Sequence, residues 1–585
     1  MTIFRAPRAP GLRGMVAALR NAAILAATTV LVSACGGGGD DPFAGPLPQL
    51  AQAQPATIVN CASLASGFTF ASTSVTAASV VAAGTLTNAG QPVAEHCVVT
   101  GKMNQRVSAV DGQTYAIGFE MRMPKDWNGR FLYQANGGTD GAVAPATGGF
   151  SGGGPLQNAL QQGFAVISSD AGHNGSQNPL FGLDPQARLD YGYQAVATLT
   201  PMAKALIKAA YGKAPDRSYI GGSSNGGRHT MVAAARYAND YDGFLATSPG
   251  FNLPKAAVAQ LYGAQQWAKV ATDVNNLESA LPQTERKLIA NAILARCDSL
   301  DGVADGQVQD VEACRGAFDL ARDVPTCPGA RDGTCLTAAQ KAAIGNVFTG
   351  ARNSKGDALY AHWPFDAGIM QTGWADWKFR NSVGSSRDPV AVAFIFSSPP
   401  ESASVLSNTL GYALNYNFDT DAPKIFATSG IYSESGMSFM TPPNPAKLDA
   451  LRGRGAKMLV IQGTSDPVFS VDDTMAWYDA LDAQYGGHAA NFARFYRVPG
   501  MGHSRGGPAT DQFDGLTALV NWVEKGQAPD RIVATARGAG NAGGVNTEVP
   551  ADWAANRTRP LCPYPLVARY KGGDKEQAAS FACER

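Results

Sequence analysis

Three serines of this chain lie in Gly-x-Ser-x-Gly spacing, at Gly149-Phe150-Ser151-Gly152-Gly153, Gly222-Ser223-Ser224-Asn225-Gly226 and Gly502-His503-Ser504-Arg505-Gly506. Such a serine is a nucleophile when the glycines close a tight turn between a strand and a helix and hold its Oγ above a sheet. With 66 glycines in the chain, spacing alone decides nothing. Ser151 follows a glycine-rich loop with no strand leading into it, and Ser504 sits in a loop. Ser223 fails because position 225 is Asn. Ser224 alone has a β-favouring run before it, residues 218–220, and a helix-favouring run after it, residues 230–237.

A serine nucleophile needs a base and a group that orients the base. Of six histidines, His503 closes the run Pro499-Gly500-Met501-Gly502-His503 after an apolar strand at 492–498. Asp466 follows the apolar strand 457–461. The order Ser224, Asp466, His503 predicts attack by Ser224, proton transfer by His503 and orientation of the imidazole by Asp466. His96, His362 and His488 lie in no suitable strand-end loop. His229 falls on the helix behind the turn and points away, and His173 is a candidate rim residue. Residues 136–141, glycine-rich and directly after a strand at 130–134, offer Gly138 as one oxyanion donor, with the amide of Asn225 as the other. An ordinary glycine turn is the alternative for that loop.

The elements that must position these groups alternate. Strands are expected at 116–123, 130–134, 164–169, 457–461 and 492–498, the third a continuous apolar run of the kind buried in a parallel sheet. A helix is expected over 193–210, interrupted by Pro201. This is an α/β pattern, and a mature chain of about 550 residues calls for a second domain or a large insertion.

At the start, Arg5, Arg8, Arg13 and Arg20 precede an apolar run at 22–32, too short to span a membrane, which reads as a signal peptide. Met15 is an alternative start. The run ends Leu31-Val32-Ser33-Ala34-Cys35, which has the form of a bacterial lipobox with Cys35 lipidated; a soluble protein cleaved nearby is the alternative. A lipid anchor is the sole membrane attachment expected. Residues 36–60, Gly-rich and then Pro/Gln/Ala-rich, are expected to be a flexible tether. Lys and Arg balance Asp and Glu at 47 each, without a basic run after the signal, so a nucleic-acid partner is not expected. Of nine cysteines, the eight beyond Cys35 fall into local couples without Cys-x-x-Cys spacing. That favours disulfides in an exported protein, with connectivity left open by the sequence.

Residues 298–307 read Asp298-Ser299-Leu300-Asp301-Gly302-Val303-Ala304-Asp305-Gly306-Gln307. Three carboxylates at this spacing can surround a hard cation, and Asp-Gly pairs equally make ordinary turns. No organic cofactor is expected.

From Cys61 to Cys583 the chain resembles the tannase and feruloyl esterase family, most specifically at Trp127-Asn128-Gly129-Arg130-Phe131, at residues 181–190, at Val498-Pro499-Gly500-Met501 and at residues 559–565. The resemblance implies an α/β-hydrolase fold with a large inserted lid domain. The core then runs over 61–250 and 455–585, the lid over 251–454, and 1–35 and 36–60 are signal and linker. It also implies the disulfides Cys61–Cys97, Cys297–Cys314, Cys327–Cys335 and Cys562–Cys583. A structural calcium would be held by the side chains of Asp298, Asp301 and Asp305 and the carbonyls of Val303 and Gln307. Trp377 matches a pocket tryptophan, and Arg387 is a candidate partner for a substrate carboxylate.

The sequence departs from the family at Ser223 and Ser504, where most members carry two cysteines that tie the nucleophile turn to the histidine loop. The expected activity is hydrolysis of small aromatic-acid esters, whether hydroxycinnamate, gallate or terephthalate monoesters. A catalytically silent, lipid-anchored scaffold of the same fold is the alternative, and peptidase chemistry a third reading. The intact triad and both oxyanion positions argue against the scaffold.

Overall fold

The structure, a computed structural model, describes residue 41 and residues 43–585 apart from 151 and 155. The signal peptide, Cys35 and Ser151 lie outside the described residues.

Nine strands form the central sheet: β1 (Thr73–Val81), β2 (His96–Val107), β3 (Thr114–Pro124), β4 (Arg130–Ala135), β5 (Ala165–Ser169), β6 (Arg217–Ser223), β7 (Gly243–Thr247), β8 (Lys457–Gly463) and β9 (Ala493–Val498). Their spatial order is β9-β8-β7-β6-β4-β5-β3-β2-β1. Pairing is parallel from β5 to β9 and antiparallel from β5 through β3 and β2 to β1. Every residue of β5, β7 and β8 is buried, which is why these strands read as unbroken apolar runs. Alternation within β6 separates two cores. Ile220 packs into one with the helices α1 (Ala195–Tyr211) and α2 (Asn225–Arg236), and Tyr219 packs into the other with Leu516, Leu519 and Trp522. Among the described residues no strand of the sheet lies between β7 and β8. The intervening segment, with helices α3 (Leu253–Ala268) and α4 (Gln283–Cys297), builds a third core that includes Trp267, Ile289, Phe348 and Trp374. A mostly parallel sheet with helices on both faces and a long insertion after β7 is the α/β-hydrolase fold.

Several expectations are corrected. Helix α1 runs through Pro201 without interruption. Helix α2 begins at Asn225, so the helix includes Gly226 and Gly227, whose low propensity hid its first turn. Strands β1 and β2 were not anticipated. The tether expected over 36–60 does not hold from Phe43 onward. Phe43 packs edge-on against Tyr485, Ala53 N–H donates to Glu524, and Ala56–Thr57 pairs with Asp126–Trp127. These backbone groups gain hydrogen-bond partners on the core surface, which outweighs the low apolar content of the segment.

Candidate active site

Ser224 sits where β6 turns into α2, at φ 63° and ψ −123°, a conformation an L-residue keeps only when its surroundings enforce it. The enforcement is visible. Ser224 N–H donates to Thr247 O at 3.0 Å. A Cβ on Gly222 would meet Ala135 O at 2.4 Å, and one on Gly226 would meet the same oxygen at 2.2 Å, so both glycines of the motif are required by close approach to β4.

The Ser224 hydroxyl donates to His503 Nε2 at 2.8 Å, and His503 Nδ1 donates to Asp466 Oδ2 at 2.9 Å. Asp466 Oδ1 accepts from Val468 N–H at 2.8 Å, and the side chain is fully buried. Its carboxylate therefore faces His503 in one orientation, which fixes the imidazole tautomer that leaves Nε2 free to take a proton. The rings of Trp377 and Phe469 stand nearly perpendicular to the His503 ring at centroid distances of 5.6 and 5.3 Å.

The two strand-end loops are joined behind the site. Thr464 Oγ1 donates to Asp366 Oδ2 at 2.8 Å and accepts from Gly500 N–H at 3.0 Å. Ser504 takes φ 67°; its N–H donates to Ser248 Oγ at 3.1 Å, and its hydroxyl meets that of Ser223 at 2.6 Å. The two positions where a cysteine pair was absent from the sequence thus form a hydrogen bond. Asp366, Thr464 and Ser248 carry no motif, and sequence reasoning missed them.

Gly138, at φ 67°, lines the pocket over Ser224 together with Asn225, and a Cβ on neighbouring Gly137 would stand 3.7 Å from Ser224 Cβ. The expected oxyanion positions are therefore brought to the nucleophile. Trp377 and Arg387 line the same pocket, with the Arg387 guanidinium 6.0 Å from the Trp377 ring centroid. Tyr191, Leu253, Phe396 and Phe469 complete its apolar wall and were not anticipated. Asp388, also in the wall, is pushed up to about 7, first by burial, with Lys378 and Arg387 opposing.

His173, His229 and His362 have partners other than Ser224. His173 is not a rim residue: it is buried, stacked on Phe181 at 3.7 Å and bonded to Thr139 O, and burial pushes it down to about 4. His229 is buried and paired with Asp140, and His362 is paired with Asp472.

The family model for tannase and feruloyl esterase matches residues 97–584. The chain belongs to the tannase and feruloyl esterase family. It is a carboxylic ester hydrolase. It is 39% identical over 525 residues to mono(2-hydroxyethyl) terephthalate hydrolase of Piscinibacter sakaiensis, covering 84% of this chain and 85% of the relative. It is 28% identical over 506 residues to a probable feruloyl esterase B-2 of Aspergillus fumigatus, covering 83% and 87%. In fold it is similar to feruloyl esterase B from Aspergillus oryzae, with a TM-score of 0.70 at 22% identity over 89% of this chain and 99% of that one.

Two further features bear on this tannase-family chain. Cysteine couples 61–97, 297–314, 327–335 and 562–583 are disulfide-bonded, which suits an oxidising compartment. In the loop at 298–307, Asp298 Oδ1 accepts from Asp305 N–H at 2.9 Å and its Oδ2 from Gly306 N–H at 2.9 Å, and Asp305 is ion-paired with Arg559. Asp301 keeps one buried oxygen without a protein partner, and the Gln307 amide is likewise buried and unpartnered. Burial first, then Asp305 and Asp298, push the Asp301 carboxyl up to about 7. Among the described residues no three His, Cys, Asp or Glu side chains converge as a complete metal cage. The fit to a hard cation therefore rests on Asp301, whose unpartnered oxygen would be satisfied by one, with backbone carbonyls supplying neutral ligands.

Proposed function

We propose that this enzyme hydrolyses small esters of aromatic acids through an acyl-enzyme formed on Ser224. The observation that carries the reading is the hydrogen-bonded sequence Ser224–His503–Asp466, with Ser224 lining a pocket walled by Trp377, Tyr191 and Phe469. Ser224 Oγ attacks the ester carbonyl while His503 Nε2 takes its proton. The amides of Gly138 and Asn225 stabilise the oxyanion. His503 then returns the proton to the departing alcohol, and water repeats the sequence to release the acid.

Arg387 lines the pocket with its Nη1 donating to Ser386 O at 3.1 Å, and a guanidinium with donors left over at that wall supports a ligand carboxylate as its partner, which favours terephthalate monoesters over uncharged acyl groups. The identity to mono(2-hydroxyethyl) terephthalate hydrolase supports the same choice. Calcium at Asp298, Asp301 and Asp305, with the carbonyls of Val303 and Gln307, is proposed as a structural ion, and Cys35 as a lipid anchor of the exported protein.

A fluorophosphonate probe tests the nucleophile: wild type is labelled at Ser224 and Ser224→Ala is not, with hydrolysis lost in step. Turnover of mono(2-hydroxyethyl) terephthalate, methyl ferulate and methyl gallate tests the substrate. Arg387→Ala should raise KM for the first at least tenfold and leave the other two within threefold; equal effects on all three would remove Arg387 from carboxylate recognition.

A further inference from the structure

Beneath the oxyanion loop lies a buried polar network that the reaction as described does not use. Asp140 is in that loop, at φ 52°, two residues after Gly138, with its side chain 1% exposed. Asp140 Oδ2 accepts from Asn225 Nδ2 at 2.8 Å and from His229 Nε2 at 3.0 Å. Both donors are on the first turns of α2, the helix that starts at the nucleophile. Arg228 completes the network: Nε donates to Asn225 Oδ1 at 2.6 Å, Nη2 to His229 Nδ1 at 3.1 Å, and Nη1 to Gly192 O at 2.7 Å. On the far side, Tyr191 OH donates to Gly138 O at 3.3 Å.

We propose that Asp140 and His229 are positioning residues for ester hydrolysis, clamping the loop that carries Gly138 onto the helix that carries Asn225 so that the two oxyanion donors keep one fixed separation. This rests on Ser224 being the nucleophile. The two donors come from different elements, the loop after β4 and the start of α2, and no covalent link joins those elements locally. Oxyanion stabilisation depends on donors aimed in advance at the place where charge develops. A non-glycine residue at positive φ persists only where neighbours over-determine it, and Asp140 is held there by its side chain. With Asp140 as acceptor the His229 proton is on Nε2; Arg228 Nη2, at 3.0 Å, and Asn225 Nδ2, at 3.3 Å, lie against the same nitrogen, and burial pushes the Asp140 carboxyl well up while Arg228 opposes the shift. Burial first, and then Arg228, hold His229 in the neutral form. Loss of the clamp leaves both amides in the chain but frees their spacing. Transition-state stabilisation should fall, while the aromatic pocket binds substrate as before.

The test uses the full chain, p-nitrophenyl butyrate as substrate and an aryl trifluoromethyl ketone, which forms a hemiketal oxyanion on the serine. In His229→Leu and in Asn225→Ala, which keeps its backbone N–H, kcat should fall roughly 10- to 100-fold, below the loss for deleting a donor outright. KM should stay within twofold and ketone affinity fall in the same proportion as kcat. His229→Gln, which retains an N–H donor, should recover most of kcat. A kcat within twofold of wild type in Asn225→Ala would overturn the clamp, as would a reduced kcat with unchanged ketone affinity. If His229→Leu does not fold, Asn225→Ala decides. Fluorophosphonate labelling of Ser224 should persist, though slowed, in the clamp variants; labelling in Ser224→Ala would instead remove the nucleophile assignment on which the clamp depends.

Discussion

Ser223 and Ser504 place two hydroxyls 2.6 Å apart at a junction 281 residues apart in the chain, beside the nucleophile and beside the base. A neutral hydrogen bond there contributes about 1 kcal/mol, far less than a covalent link closing so long a loop, for which chain entropy gives roughly 5–6 kcal/mol. Ser223→Cys with Ser504→Cys should therefore oxidise in an oxidising compartment and raise the melting temperature, with activity kept. Two free thiols in the folded double variant, read by mass spectrometry, would mean that these side chains do not face each other. A second residue gives a pH dependence. Asp170 accepts from Gly118 N–H at 2.9 Å and Gly172 N–H at 3.0 Å, and burial, the largest influence on it, pushes its carboxyl up to about 7. Because the folded value lies above the unfolded one, its contribution to stability is full below about pH 4 and is lost as pH rises through about 7. Asp170→Asn keeps an acceptor oxygen and cannot ionise. Relative to wild type it should lose less stability between pH 5 and pH 8, by up to roughly 2.5 kcal/mol, because the part of the effect below pH 5 lies outside that window; an equal loss of stability between the two pH values in both proteins, read by urea unfolding, would refute this. The catalytic residues were legible in the sequence because each follows a strand in a fixed chain order. Tyr191, Phe469 and Asp140 were not, because their roles come from tertiary neighbours and leave no local pattern.

At the scale of elements, the turn from β6 to α2 is a packing problem solved by two glycines. Added Cβ atoms at Gly222 and Gly226 would stand 2.4 and 2.2 Å from the same backbone oxygen, Ala135 O, which cannot yield without moving β4 and the Gly138 loop that follows it. Gly226→Ala should cost about 3 kcal/mol or more, as overpacking against backbone does at the upper end of its range, and should cut activity in whatever protein folds. A soluble variant with wild-type melting temperature and kcat would show that the turn has more room than its geometry implies. Most of the parallel strands were legible because both faces are buried, although β7, only five residues long, was not anticipated. β1 was not, since it is built from Thr, Ser, Ala and Val and is mostly exposed or half-buried. The wide helical turns at Asp376–Asn381 and Ala391–Phe396, which bring Trp377 and Ala391 to the pocket, have no sequence signature either.

Across the whole molecule, the insertion is held to the sheet by the last part of the chain. Arg559 pairs with Asp305, Arg557 Nη1 donates to Asp305 O at 2.6 Å, and Arg569 Nη1 donates to Leu300 O at 2.8 Å, so three arginines grip the loop at 298–310. The same segment is tied to itself by Cys562–Cys583 and to β9 by Tyr564 N–H donating to Phe495 O at 2.7 Å. A cation bound at Asp301 and the arginine grip would then stabilise one loop from two sides, and their effects should be coupled rather than additive. Arg559→Met leaves Asp305 buried without its partner, which costs on the order of 3–5 kcal/mol. Removing calcium with a chelator should lower the melting temperature of wild type by several degrees while kcat at 20 °C, in the roughly 20 °C range where the fold is intact, stays within about twofold. In Arg559→Met the Asp305 carboxylate is no longer shared between the ion and the guanidinium, so calcium should stabilise the variant more than wild type, and chelation should produce the larger drop there. Identical chelator-induced shifts in the two proteins would show that the grip and the ion act on separate parts of the molecule, and no shift in either after verified metal removal would remove the structural ion altogether.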